Sequence, residues 1–268
     1  MEIEFCLEES IGKNLEKYYE KIKKIDNKIE GERKKIEILQ KKLIEIEKEK
    51  EMKEKEEKEI KELLKKIKKG EWYEKYRWFF TSKGNLVICG KDQSSNEVII
   101  KKYSKNFKYV FHTTIPGSPF CLTNAETEEE KEEVADFVAI FSKAWQSNLA
   151  STEVFYVKPE QLKKNDPKGV ILPKGSFYIE GKKNFIIGET KFSVGICLKN
   201  NEIKEIRFGP YSTISKICDY YVTIVPGKKS RKELAKEIGK RLKIKHWQVL
   251  LDFLPSDGEI ARSLSRFF

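Results

Sequence analysis

Basic and aromatic side chains stand next to each other at several points of the sequence, a combination that suits a nucleic-acid ligand. The clusters contain Trp72, Tyr73, Tyr76, Arg77, Trp78, Lys91, Lys101, Lys102, Tyr103, Lys143, Trp145, Lys182, Lys183 and Asn184. Lysine and arginine bind phosphates, and flat aromatic faces stack on unpaired bases. Because a folded core also needs aromatic rings, about two-thirds of these rings are expected to be buried. The better candidates for direct contact are the lysines at 91, 101, 102, 182 and 183.

Recognisable catalytic motifs are missing from the sequence. It contains no G-x-G-x-x-G, no G-x-x-x-x-G-K-[ST], no G-x-S-x-G and no H-E-x-x-H. His112 lies beside a Gly-Pro loop, but a lone histidine is more often a hydrogen-bonded structural residue. The five cysteines are scattered and form no C-x-x-C pair, so neither a disulfide framework nor a structural zinc site is expected. We therefore expect a binding protein that has no enzymatic activity, cofactor or metal.

Charge is distributed unevenly along the 268 residues. Lys and Arg number 54 and Asp and Glu 43, which gives a net charge of +11. Residues 1–70 hold 21 basic and 19 acidic residues, so the basic surplus lies in the remainder of the chain. Such a surplus favours polyanionic partners such as nucleic acid. No apolar run approaches the length of a membrane span and the first ten residues do not resemble a signal peptide, so a cytoplasmic protein without membrane attachment is expected.

The charged N-terminal segment carries a heptad pattern that predicts a helical coiled-coil arm. Its apolar seam consists of Ile22, Ile25, Ile29, Ile36, Leu39, Leu43 and Ile46. Residues 47–59 are almost wholly Glu and Lys, and apolar spacing returns at Ile60, Leu63, Leu64 and Ile67. The charged run could be the tip of a helical hairpin or the solvated middle of one long helix. The hairpin is the preferred prediction, because a narrow seam needs a partner helix.

From residue 71 onward, helix and strand signals alternate. A β-hairpin is predicted around residues 82–85, a short helix begins with a capping box at Ser94 and Glu97, and a long helix covers 127–147 with a capping box at Thr127 and Glu130. Later strands are predicted at 176–179, 192–198, 203–208 and 220–225, and helices at 230–242 and 246–253. The fold class is therefore α+β, with the helical arm followed by a mixed α/β globular part and a small α+β C-terminal extension.

The order of these segments resembles the NFACT-R domain. The resemblance is carried by WYEKYRWF (72–79), LVICGKD (86–92), Asn96-Glu97, His112, GSP (117–119), SKAW (142–145), GSF (175–177) and GKKN (181–184). It covers about residues 72–187. The arm resembles the coiled coil that precedes this domain in the family, and the remainder resembles the extension that follows it in archaeal-type members. The implied domains are 1–70, 71–187 and 188–268.

The family comprises ribosome-associated quality-control factors of the NEMF/RqcH type, also named fibronectin-binding protein A-like. The resemblance implies binding to RNA, to tRNA and to large ribosomal subunits obstructed by peptidyl-tRNA, and assistance in C-terminal tailing of the stalled chain. The family's NFACT-N and helix-hairpin-helix domains are not matched, so the chain is expected to correspond to the C-terminal half. Two alternatives follow: the chain acts with a separately encoded NFACT-N-containing half, or it is a fragment of a longer protein. Lys91 replaces the family's usual arginine, and Thr113-Thr114 replaces an Ala-Asp pair.

The expected RNA-binding site combines the matched motifs with the basic residues. It contains Arg77, Lys91, Asp92, Asn96, Glu97, His112, Gly117, Ser118, Lys143, Lys182, Lys183 and Asn184. Two alternatives are kept open. The first is a protein-interaction adaptor that works through the coiled coil, and the second, suggested by the name of some relatives, is a surface adhesin.

Overall fold

A computed structural model describes residues 6–267, so residues 1–5 of the segment compared with signal peptides lie outside the described part. Its helices are α1 (Ile11–Ile67), α2 (Gln93–Tyr103), α3 (Glu128–Ile140), α4 (Lys143–Gln146), α5 (Tyr211–Ile217) and α6 (Arg231–Arg241). Its strands are β1 (Arg77–Phe80), β2 (Leu86–Cys89), β3 (Tyr109–Thr113), β4 (Cys121–Thr123), β5 (Ser151–Val157), β6 (Leu162–Lys163), β7 (Tyr178–Ile179), β8 (Asn184–Glu189), β9 (Phe192–Lys199), β10 (Glu202–Pro210), β11 (Tyr220–Lys229) and β12 (Gly258–Ile260). Within this range, none of the helices is long and apolar enough to cross a membrane.

The chain divides into two compact units, the first ending at Glu59 and the second beginning at Ile60. The described part of the first unit is dominated by α1, and its seven seam residues are between 47% and 64% exposed. The preferred hairpin is wrong, because α1 is one uninterrupted helix. The reason is local: residues 47–59 are strong helix formers supported by Glu–Lys pairs, and they contain no Gly, Pro or Asn that would favour a turn.

The second unit contains a six-stranded antiparallel sheet in the order β1-β2-β4-β3-β5-β8. Successive residues of a strand point to opposite faces. Val87, Phe111 and Val154 therefore pack with α3 on one face, whereas Ile88, Val110 and Phe155 pack with α2 on the other. The predicted β-hairpin is confirmed as β1 and β2 with Arg77 opposite Cys89.

A second antiparallel sheet, in the order β10-β9-β11-β12, carries the C-terminal extension. Its core combines strand residues such as Ile196, Val222 and Ile224 with Leu234 and Ile238 of α6. Ile67 is buried in the same core. The last turns of α1 therefore belong to the globular unit.

Several local predictions need correction. Ser94 and Glu97 do not form the predicted capping box. Instead Asp92 caps α2 in a capping box with Ser95, because its carboxylate accepts a hydrogen bond from the Ser95 amide. The capping box of Thr127 and Glu130 is confirmed, but the helix ends at Ile140 and Ser142 caps the separate helix α4. Residues 247–250 form a 3₁₀ turn instead of the predicted helix.

A disulfide joins Cys89 in β2 to Cys121 in β4, which corrects the expectation from cysteine spacing. The two residues are 32 apart in sequence but directly opposite in the strand register. Such a pair arises from strand pairing, which leaves no short spacing motif in the sequence.

Candidate nucleic-acid interface

The second unit contains a cavity of about 650 Å³, here called the central pocket. It is lined by residues from the turn after β2, the start of α2, the loop after β3 and the segment before β8. Eight of the twelve sequence-predicted site residues line it, namely Arg77, Lys91, Asp92, Asn96, His112, Gly117, Ser118 and Lys183. The fold thus gathers residues that are up to 106 positions apart in the sequence.

Aromatic rings form the apolar wall of the central pocket. They belong to Phe120, Phe141, Phe155 and Phe177, and the His112 ring lies 4.3 Å from that of Phe120. Phe177 is half-buried and packs edge-on against Phe120 at 5.5 Å. The ammonium nitrogen of Lys183 lies 4.5 Å from the centre of the Phe155 ring. A cation and aromatic surfaces are therefore presented to the same cavity.

Arg77 is a half-buried cation of the central pocket. One of its terminal nitrogens donates to the carbonyl oxygens of Gly90 at 2.9 Å and Lys91 at 3.3 Å, and its guanidinium carbon lies 4.7 Å from the centre of the Phe141 ring. Burial lowers the pKa of Arg77, while Asp92 opposes that shift and Arg231 adds to it. The guanidinium stays charged, because arginine titrates far above neutral pH. Arg77 therefore presents a poorly solvated positive charge.

The polar residues of the pocket floor are held by the backbone. The Asn96 side-chain oxygen accepts from the Phe120 amide at 3.1 Å. The ring nitrogens of His112 lie 2.6 Å from the carbonyl oxygen of Thr113 and 3.1 Å from that of Ser118. A neutral imidazole can donate through one of these nitrogens, and burial lowers the pKa of His112. His112 and Asn96 therefore shape the floor.

Glu97 does not line the cavity but links α2 to the segments that contain Lys164 and Gly175. Its carboxylate accepts from Lys101 at 2.7 Å, from Lys164 at 2.8 Å and from the Gly175 amide at 2.7 Å. Burial alone would raise the pKa of Glu97, but these three donors outweigh it and lower the pKa to about 2. Asp92 likewise has a structural contact, since hydrogen bonds from Ser95 lower the pKa of its capping carboxylate.

Three other predicted site residues do not line the central pocket. Lys182 is exposed, and its carbonyl oxygen accepts from Gln161 at 3.0 Å. Asn184 is exposed at the start of β8. Lys143 lies at the rim, where a Cβ added to Gly117 would be 3.3 Å from the Lys143 side chain. Of the other lysines favoured by the sequence, Lys101 is paired with Glu97, and the ammonium nitrogen of Lys102 lies 5.2 Å from the centre of the Tyr103 ring.

A second cavity of about 340 Å³, here called the junction cleft, shares Arg77, Lys91 and Phe141 with the central pocket. It adds the cations Lys68 and Arg231, together with the acidic residues Glu74 and Asp252. Burial lowers the pKa of Lys91, and the charges of Lys68 and Arg77 lower it further. Sequence reasoning missed Lys68 and Arg231, because both lie outside the matched motifs and are brought to the cleft by packing.

Comparison with known proteins defines the class of this domain. Residues 75–181 match the family described as the NFACT protein RNA binding domain. The central pocket is thus lined largely by residues within the range that matches this family, and the chain resembles the C-terminal part of NEMF/RqcH-type ribosome quality-control factors.

Two curated relatives illustrate this resemblance. The chain is 37% identical over 206 residues to the archaeal Rqc2 homolog aRqcH of Methanocaldococcus jannaschii, which covers 75% of this chain and 29% of the relative. It is 34% identical over 128 residues to the human ribosome quality control complex subunit NEMF, which covers 46% of this chain and 12% of the relative. The chain therefore spans less than a third of the length of either relative.

A solved structure of the C-terminal part of a fibronectin/fibrinogen-binding protein from Streptococcus suis is also similar. It has 21% sequence identity and a TM-score of 0.36, and the match covers 42% of this chain and 45% of the solved one.

Proposed function

We propose that this chain is an RNA- and ribosome-binding module in the quality control of stalled translation. It binds large ribosomal subunits obstructed by peptidyl-tRNA and assists C-terminal tailing of the nascent chain, without catalytic chemistry of its own. It acts together with an NFACT-N-containing half, which supplies the domains that are not matched here. The observation that carries this proposal is the convergence of Arg77, Lys91 and Lys183 with aromatic rings in one cavity of the NFACT-R domain.

In this proposal an unpaired nucleotide enters the central pocket. Its base stacks on the half-buried ring of Phe177, and its phosphates bind Arg77 and Lys183. Gln93 and Gln146, which also line the pocket, offer side-chain amides to the base edge or ribose. The net positive charge of the lining favours an anionic ligand.

Neighbouring lysines provide a matched test. Lys183→Gln should weaken binding of a fluorescent single-stranded RNA about fivefold to tenfold, because one charged contact is lost. It should also reduce the slope of log K against log salt by about 0.7. Lys182→Gln removes the same charge outside the pocket and should change both values little. Equal effects of the two substitutions would show that the RNA is not bound in the central pocket.

Ribosome binding is tested by co-sedimentation with large subunits, empty or carrying peptidyl-tRNA, at two salt concentrations. Preferential binding to obstructed subunits is the expected result. Binding to neither, even at low salt, would mean that this chain does not provide the ribosome contact.

The exposed seam of α1 supports a second candidate function, a coiled-coil adaptor for another protein. A heptad seam whose residues are about half exposed is suited to a partner helix. Deleting residues 11–59 separates the candidates, and the deletion stops there because Ile60, Leu63 and Ile67 pack on the globular core. The RNA proposal predicts retained RNA affinity, whereas the adaptor proposal predicts loss of the protein partner.

A further inference from the structure

Most of the net charge of the chain is concentrated in one segment of the C-terminal extension. Residues 228–245 contain nine Lys and Arg and two Glu, a net charge of +7 out of +11 for the whole chain. The segment comprises the end of β11, helix α6 and the turn that follows it. It lies outside residues 75–181, which match the RNA-binding domain family.

Helix α6 has an apolar face and a cationic face. Leu234, Ala235 and Ile238 are fully buried in the core of the second sheet. Lys232, Lys236 and Lys240 are four residues apart and exposed, so they form one ridge along the helix, here called the lysine ridge. None of these three forms an ion pair with any residue in the range 6–267.

The acidic residues of α6 are already engaged elsewhere. The Glu237 carboxylate binds Lys229 at 2.8 Å and Arg241 at 2.7 Å. The Glu233 carboxylate accepts from the amide and hydroxyl of Ser230 in the capping box. Neither carboxylate forms an ion pair with the lysine ridge.

An aromatic groove adjoins the C-terminal part of the ridge. It has a volume of about 430 Å³ and is lined by Lys236, Gly239, Lys240, Lys243, Ile244, Lys245 and Trp247. The half-buried Trp247 ring has the ammonium nitrogen of Lys236 5.4 Å from its centre. Gly239 allows this arrangement, since an added Cβ would lie 2.7 Å from the Trp247 Cβ. An indole surface is thus placed next to regularly spaced cations.

We propose that the lysine ridge and the Trp247 groove form a second RNA-binding surface. Phosphates of a single strand bind Lys232, Lys236 and Lys240, and an unpaired base stacks on Trp247. The pairing of cations with an aromatic surface favours RNA over an acidic peptide, which has no base to stack. Arg231 at the start of α6 lines the junction cleft, so the same strand can continue from the ridge toward Arg77 and Lys91.

The salt dependence of binding tests the ridge. The variant Lys232→Gln, Lys236→Gln, Lys240→Gln is compared with Lys158→Gln, Lys199→Gln, Lys204→Gln, whose three exposed lysines lie outside the ridge and both pockets. With a fluorescein-labelled 12-nucleotide oligouridine, the ridge variant should bind at least tenfold more weakly. Its salt slope should fall by about 2, since each lost phosphate contact on a single strand contributes about 0.7. Equal slopes in the two variants would overturn the proposal.

Tryptophan emission tests the groove. Oligouridine should quench part of the emission of the full-length chain, whereas inorganic polyphosphate, which has no bases, should not. Trp247→Phe should abolish this part of the quenching and preserve the melting temperature. Unchanged quenching in Trp247→Phe would overturn the stacking contact, and tighter binding of polyglutamate than of oligouridine would identify an acidic protein as the ligand instead.

A double variant distinguishes this surface from the central pocket. Adding Lys183→Gln to the ridge variant should lower affinity further by the factor seen for Lys183→Gln alone, since distant sites contribute additively. If the ridge variant loses affinity while Lys183→Gln has no effect, the second surface stands and the proposed central-pocket function fails.

Discussion

The Glu97 carboxylate in α2 accepts a hydrogen bond from the backbone amide of Gly175, 78 residues later in the chain, at 2.7 Å. Lys164 donates to the same carboxylate and to the carbonyl oxygen of Pro173. One buried carboxylate thus holds the loop that carries Phe177 against the start of α2. The position of Phe177 in the aromatic wall of the central pocket therefore depends on these contacts of Glu97.

Replacing Glu97 should therefore destabilise the fold in a pH-dependent way. Because its folded pKa of about 2 lies below the usual 4.5, Glu97 contributes stability that is fully present above pH 4.5 and lost as the pH falls through 2. Glu97→Gln should lower the free energy of unfolding at pH 7 by about 2–4 kcal/mol. The difference from the unmodified chain should shrink in acid. Urea unfolding across this pH range measures it.

Glu180→Gln is the control for the Glu97 substitution. Glu180 is exposed and lies 3.5 Å from Lys163, a surface pair that contributes at most about 1 kcal/mol. If Glu180→Gln lowered the free energy of unfolding as much as Glu97→Gln, the stabilising role of Glu97 would be contradicted.

Gly175 should tolerate alanine much less well than Gly169. Both have positive φ, +76° and +83°, so an alanine at either position incurs about 1–2 kcal/mol of backbone strain. A Cβ at Gly169 meets open space, whereas a Cβ at Gly175 would lie 2.7 Å from the carbonyl oxygen of Gln93. Gly175→Ala should therefore lower both the melting temperature and RNA affinity, and Gly169→Ala the melting temperature alone. Equal effects on RNA affinity would mean that the loop does not shape the pocket.

His112 should titrate below the usual 6.5, since burial lowers its pKa and the charge of Lys183 adds to this effect. Its protonation opposes folding, so its contribution to stability is present above pH 6.5 and lost as the pH falls toward the folded pKa. A phosphate bound beside Lys183 should raise the pKa of His112 by screening that charge. NMR titration with and without RNA measures this, and His112→Gln identifies the signal. An unchanged pKa with saturating RNA would contradict binding next to His112.

Thiol titration checks the pairing of Cys89 and Cys121. The chain has five cysteines, and Cys6, Cys197 and Cys218 are free. The unfolded, unreduced protein should therefore show three reactive thiols, and the reduced protein five. Replacing Cys89 and Cys121 by alanine should lower stability by about 3–4 kcal/mol, because the bond closes a loop of about 32 residues. The control variant Cys6→Ala should have two reactive thiols when unfolded without reductant, and its stability should be unchanged. Five reactive thiols in the unfolded, unreduced protein would contradict the pairing of Cys89 with Cys121.

Local signals in the sequence determined much of this protein. Heptad spacing and helix-forming composition predict the helicity of residues 11–67, and the Thr127 capping box predicts the start of α3. Two apolar runs around a Ser-Lys-Gly-Asn turn predict the first hairpin. These features rest on hydrogen bonds and side-chain contacts within a few residues, which a linear pattern records directly. The heptad pattern also favoured a hairpin in the arm. An apolar seam indicates that the helix packs against a partner helix, but it does not show whether that partner belongs to the same chain.

The tertiary structure decided which of the candidate residues share a surface. Lys182 and Lys183 are chemically identical neighbours, but Lys183 lines the central pocket and Lys182 does not. Glu97 holds two segments together instead of contacting a ligand, because Lys164 and the Gly175 amide, distant in sequence, donate hydrogen bonds to its carboxylate. Arg231 joins Arg77 at the junction cleft through the packing of α6 on the second sheet. Such contacts depend on strand register and core packing between distant segments, which no local spacing encodes.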